Sequence, residues 1–139
     1  MKIAAAEYFF IVNDLPRLMQ TFSRHRLEPL CRNDHVQAWR CHAANSSAYA
    51  FDVVSMRRRL LITGDVGDVL LKDLSAWGHE WLRDARQVDH FASKIATWPA
   101  DRIKPNTLMT WLGWQFAAAS AFRALLWDGV SAHPAPGAA

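Results

Sequence analysis

Four short runs between residues 36 and 72 decide the fold: Val36-Gln37-Ala38-Trp39-Arg40-Cys41-His42, Tyr49-Ala50-Phe51-Asp52-Val53-Val54-Ser55-Met56, Arg59-Leu60-Leu61-Ile62-Thr63 and Asp68-Val69-Leu70-Leu71-Lys72. Each is rich in β-branched, aromatic or aliphatic residues and is bounded by turn formers. Short, consecutive and closely spaced, they predict a four-stranded antiparallel meander. Side chains alternate along a strand, so Gln37, Trp39 and Cys41 share one face, and Ala38, Arg40 and His42 the other. In the second run Tyr49, Phe51 and Val53 oppose Ala50, Asp52, Val54 and Met56. The loop Gly64-Asp65-Val66-Gly67 joins the last two strands, with glycines where a tight reversal demands positive φ.

Helical patterns flank these strands on both sides, which makes the fold class α+β. Ala5, Tyr8, Phe9 and Val12 recur at helical spacing, and Asn13-Asp14-Leu15-Pro16 predicts a break and a new start. A second short helix then carries Leu15, Leu18, Met19 and Phe22 on one side. Pro29 and Asn33-Asp34 mark the exit into the sheet. After it, Asp73-Leu74-Ser75 caps a helix bearing Leu74, Trp77, Trp81 and Leu82. Another places Val88, Phe91, Ala92 and Ile95 together.

The longest helical run is Leu108 to Trp127, whose only ionisable residue is Arg123. Twenty residues are long enough for a bilayer, but Thr110, Gly113, Gln115, Ser120 and a block of alanines make the run too weakly apolar, and an Arg in lipid is costly. The helix is expected to be buried in the centre of the fold or in a homodimer interface. Residues 1–130 therefore read as one domain, and the Pro- and Ala-rich residues 131–139 as a disordered tail.

A chain of 139 residues, 51% apolar and 12% aromatic with seven tryptophans, can bury a core without staples. Cys31 and Cys41 could make one bridge at most, and residues 1–12 have no secretory leader pattern, so both thiols are expected free in a reducing cytoplasm. The net charge of +3 is uneven: residues 1–60 carry nine Lys or Arg against five acids, and residues 61–139 seven against eight. The excess lies at Arg24, Arg26, Arg32, Arg40 and the run Arg57-Arg58-Arg59, which predicts a basic face for phosphate or an acidic protein surface.

Chemistry-bearing patterns are sparse. Cys31, His35, Cys41 and His42 have zinc-binding atoms, but Cys41 and His42 are strand neighbours pointing to opposite faces, and no C-x-x-C pair exists. The Gly64–Asp68 loop lacks the Lys of a phosphate loop and the closing Glu of a calcium loop. His42, Asp52, Ser55, His79 and His90 are scattered, with no hydrolase or metalloprotease motif, so no catalytic residue, metal or cofactor is expected. Trp39, Arg40, Tyr49 and Phe51 beside three arginines fit a nucleic-acid platform; the opposing reading puts the aromatics in the core and the arginines at the sheet margin.

Trp39-Arg40-Cys41, Ser47 to Val54, Leu61-Ile62-Thr63-Gly64-Asp65-Val66-Gly67-Asp68 and Val88 to Ile95 together resemble small accessory proteins of bacteriophages and prophages. The likeness spans about half of the chain and is sharpest in the TGDVGD hairpin. It implies a host-takeover or anti-defence factor, anti-CRISPR proteins among them. Such a protein acts without catalysis in the host cytoplasm by occupying a Cas effector or similar complex. Arg and Trp dominate binding hot spots, so Arg57, Arg58, Arg59, Arg40 and Trp39 are the expected partner-binding residues. A basic nucleic-acid-binding module is the alternative.

Overall fold

The computed structural model describes residues 5–74, 87–99 and 105–132. Helix α1 (Ala5–Gln20) leads through a turn into strands β1 (His25–Arg32), β2 (Gln37–Ala43), β3 (Ser46–Met56), β4 (Arg59–Gly64) and β5 (Val69–Leu71), followed by α2 (Val88–Ser93) and α3 (Pro105–Ala132). The five strands form one antiparallel sheet in chain order, β1-β2-β3-β4-β5. It is the expected meander with one strand more than its sequence pattern predicts.

The extra strand is β1. Six of its eight residues are exposed, so it carries no apolar alternation, and Pro29 suggests a break. An edge strand tolerates both features, and the register slips between Pro29 and Cys31 as it would at a bulge. Asn33 closes the β1–β2 hairpin: its Oδ1 accepts from the amides of His35 (2.8 Å) and Val36 (2.9 Å).

Register explains the core. Trp39 pairs with Val53, Val53 with Ile62 and Ile62 with Val69, a row across four strands in which every side chain is buried. Helix α3 covers this row, with the Trp39 and Phe122 rings 5.2 Å apart. Phe116 meets Phe91 of α2 at 5.1 Å. α1 approaches α3 where Gly113 leaves room: a Cβ there would lie 3.2 Å from Leu18 Cδ1. From Leu112 to Arg123 α3 is buried apart from the half-buried Trp114. This stretch is therefore buried within one chain, as expected of a helix at the centre of the fold. No helix among the described residues is long and apolar enough to cross a membrane.

Two further expectations change. Pro16 does not split the N-terminal helix: α1 runs through it, because Ile11, Leu15 and Leu18 form one buried stripe whose packing outweighs the lost hydrogen bond. Tyr49 leaves the core face. Cys41 pairs with Phe51 but Ala43 with Ser46, so β3 carries extra residues between them, and Tyr49 sits in that bulge at φ 58°, 46% exposed. The helix expected around Trp77 and Trp81 lies outside the described residues. α3 extends to Ala132, and the rest of the expected tail is also outside them.

Candidate binding face of the sheet

Helices cover one face of the sheet; the other carries exposed and half-buried residues, and at its β4–β5 edge Leu61 and Leu70 line a groove of about 490 Å³ with Thr97, Trp98, Pro99 and, from α3, Trp111. Because pairing partners point to the same side, the register arranges this open face in rows. Glu28, Arg40, Asp52 and Thr63 form a polar row, and Ala38, Val54, Leu61 and Leu70 an apolar one. Met56 and Arg59 close the β3–β4 hairpin beyond them. The four apolar-row residues are half-buried, while Met56 and Arg59 are exposed.

The polar row is internally compensated. Arg40 donates to Asp52 through Nε (3.0 Å) and the second guanidinium nitrogen (3.5 Å), and the carboxylate raises the Arg40 pKa above its ordinary value chiefly through that hydrogen bond. Thr63 donates its hydroxyl to Asp68. His42 places Nε2 3.0 Å from Glu28 and Nδ1 2.8 Å from the Ala43 carbonyl.

His42 and Asp65 meet in an open groove of about 500 Å³ with Glu28, Arg40, Ser46 and Ser47. His and Ser beside carboxylates invite a hydrolytic reading, but both His42 nitrogens are engaged. Neither is free to take a proton from Ser46 or Ser47, as a general base must. Asp52 turns to Arg40 and lies outside the groove lining. Asp65 accepts from the Tyr49 amide at 3.0 Å and thereby holds the bulge. Tyr49 is further fixed by His25 Nε2 on its carbonyl (3.0 Å) and by stacking on Trp114 at 5.5 Å and 18°.

The five expected partner-binding residues separate. Trp39 is 2% exposed beneath α3 and is removed from the surface: its register position faces the helices, where a small core needs bulk. Phe51 follows it inward, so neither of these strand aromatics is presented to a base, while Trp98 and Trp111 border the groove at Leu61 and Leu70. Arg40 lies in the compensated row. Since Asp52 and Met56 are four residues apart on β3, Arg40 stands about 13 Å from the hairpin end.

At that end cations outnumber the acids, Asp34 and Asp73. Arg57 and Arg58 are the two loop residues, with Arg59 beside them, and Arg32 and Lys72 mark the same end of β1 and β5. Arg32, Arg57, Arg59 and Lys72 have no ion pair among the described residues. Arg58 differs from its neighbours: its Nε donates to the Leu74 carbonyl at 3.1 Å and its own carbonyl accepts from the Leu74 amide at 3.0 Å.

Cys41 is buried and Cys31 exposed, and both are free thiols. Burial pushes the Cys41 thiol up to about 12. Cys41 and His42 point to opposite faces, so the sequence's Cys/His set does not converge. No group of metal-binding side chains occurs among the described residues.

Comparison with protein-family models, with curated proteins and with solved structures returned no match to this chain.

Proposed function

We propose that the chain is a non-enzymatic inhibitor of phage accessory type that binds a host defence complex of the CRISPR-Cas kind and blocks it by occupying a protein surface. The observation that carries the docking part of this reading is the sheet face opposite the helices, where a half-buried apolar row adjoins exposed arginines that have no ion pair among the described residues. Apolar area surrounded by charge is the usual composition of a protein-binding surface. The engagement of both His42 nitrogens favours binding over catalysis in the neighbouring groove. The phage and anti-defence part rests on the sequence resemblance alone.

The test is interference. A bacterium whose CRISPR-Cas system rejects a targeted plasmid should accept it when the chain is expressed. The charge reversal Arg57→Glu with Arg59→Glu should restore rejection while leaving the thermal unfolding transition in place. Unaltered rejection by cells expressing the wild-type chain, across systems of several types, contradicts the inhibitor reading.

A second reading has one observation in its favour: the cations Arg32, Arg57, Arg59 and Lys72 along one end of the sheet could hold phosphates. It requires oligonucleotide affinity that falls steeply with salt and with loss of the loop arginines.

A further inference from the structure

Arg57 is an unfavourable residue where it stands. It occupies the first position of a two-residue hairpin loop at φ 52°, while Arg58 is not among the residues with positive φ. Glycine is the usual choice for that first position, since a Cβ disfavours the left-handed region. The two-residue loop demands this backbone, but nothing among the described residues demands an arginine in it, because the Arg57 side chain is exposed and has no ion pair there. Strain retained without structural benefit is characteristic of residues held for contact with something else.

The surroundings hold the loop rigid. Arg58 and Leu74 exchange two hydrogen bonds across its base. The segment bearing Leu74 is tied in turn by Lys94, whose Nζ donates to the Asp73 carbonyl at 3.1 Å. Arg57 therefore projects from a braced tip, with Arg59 and the 46% exposed Met56 paired beside it. Met is a pliable apolar contact and Arg binds carboxylates bidentately.

We propose that the Met56-Arg57-Arg58-Arg59 tip is the anchor of the docking face, and that its partner is an acidic protein segment carrying apolar side chains. Carboxylates meet Arg57 and Arg59, and an apolar group meets Met56 and the adjoining Val54 and Leu61. This deepens the docking reading above and rests on it. Protein is favoured over nucleic acid by the neighbours of the arginines. They are aliphatic, the sheet aromatics Trp39 and Phe51 are buried, and Arg40, the next arginine along the face, is compensated by Asp52.

The experiment measures fluorescence anisotropy with three probes: a twelve-residue peptide with Leu at every third position and Glu elsewhere, an all-Glu peptide of the same length, and a twenty-nucleotide single-stranded DNA. The mixed peptide should bind at least tenfold tighter than either other probe. Arg57→Gly should weaken it at least fivefold while raising the thermal unfolding temperature, and Met56→Glu should weaken it similarly. A merely structural Arg57 could not make stability and binding move in opposite directions. Wild-type affinity in Arg57→Gly, tighter binding of the DNA, or no binding of the mixed peptide overturns the proposal. Interference assays separate this outcome from the other: wild-type inhibition that survives Arg57→Gly removes the anchor and keeps the inhibitor, whereas peptide binding without inhibition does the reverse.

Discussion

The Arg58 guanidinium and the Leu74 carbonyl are 3.1 Å apart, and the Leu74 amide returns a hydrogen bond to the Arg58 carbonyl at 3.0 Å. This reciprocal pair joins the β3–β4 loop to the chain leaving β5, so one arginine of the basic run is structural and its neighbours are presented by it. Leu74 is 1% exposed, which anchors the clamp in the core.

Arg58→Ala should therefore lower stability by about 1 kcal/mol, the net value of one hydrogen bond, read as a lower urea midpoint with unchanged m. Arg59→Ala, which breaks no internal bond, should leave the midpoint within experimental scatter.

Trp39 should behave as a core residue. Trp39→Ala is expected to cost about 3–5 kcal/mol by opening a cavity against Phe122. Trp39→Phe should retain both fold and mixed-peptide affinity. Calorimetry and anisotropy on the two variants distinguish a packing role from a contact role.

The turn after β4 should tolerate little change. Gly64 has φ 156°, and a Cβ there would lie 2.5 Å from the Ala50 carbonyl oxygen. Gly64→Ala should destabilise by about 2–3 kcal/mol because backbone, not a flexible side chain, must yield. Chemical denaturation measures it.

The two thiols should differ in reactivity. A thiol held near 12 has almost no thiolate at neutral pH, and Cys41 is also shielded beneath the helices. A disulfide reagent at pH 8 should titrate one thiol in the native protein, Cys31, and two after denaturation. Cys31→Ser should abolish the native reaction.

Strands β2 to β5 were legible because period-two alternation survives wherever one face is buried, as in Gln37-Trp39-Cys41 and Phe51-Val53-Ser55. β1 was not, since an exposed edge has no buried face to impress a pattern on its residues. Alternation also separates two faces without saying which one the helices cover, so Trp39 and Arg40 read equally well as surface. The burial of Trp39 is decided by the distant Phe122. The Tyr49 bulge has no local marker either: its φ is maintained by Asp65, His25 and Trp114, from three other parts of the chain. The strain at Arg57 does have a local marker, because two residues between Met56 and Arg59 demand a tight loop.

Leu61→Glu tests the central claim most directly, because Leu61 lies on the open face between Val54 and Leu70. If this face is a docking surface, the variant keeps a cooperative unfolding transition within about 5 °C of wild type and loses CRISPR-Cas inhibition. Collapse of the fold would show that the face is core, and full inhibition by a folded Leu61→Glu protein would show that the partner binds elsewhere.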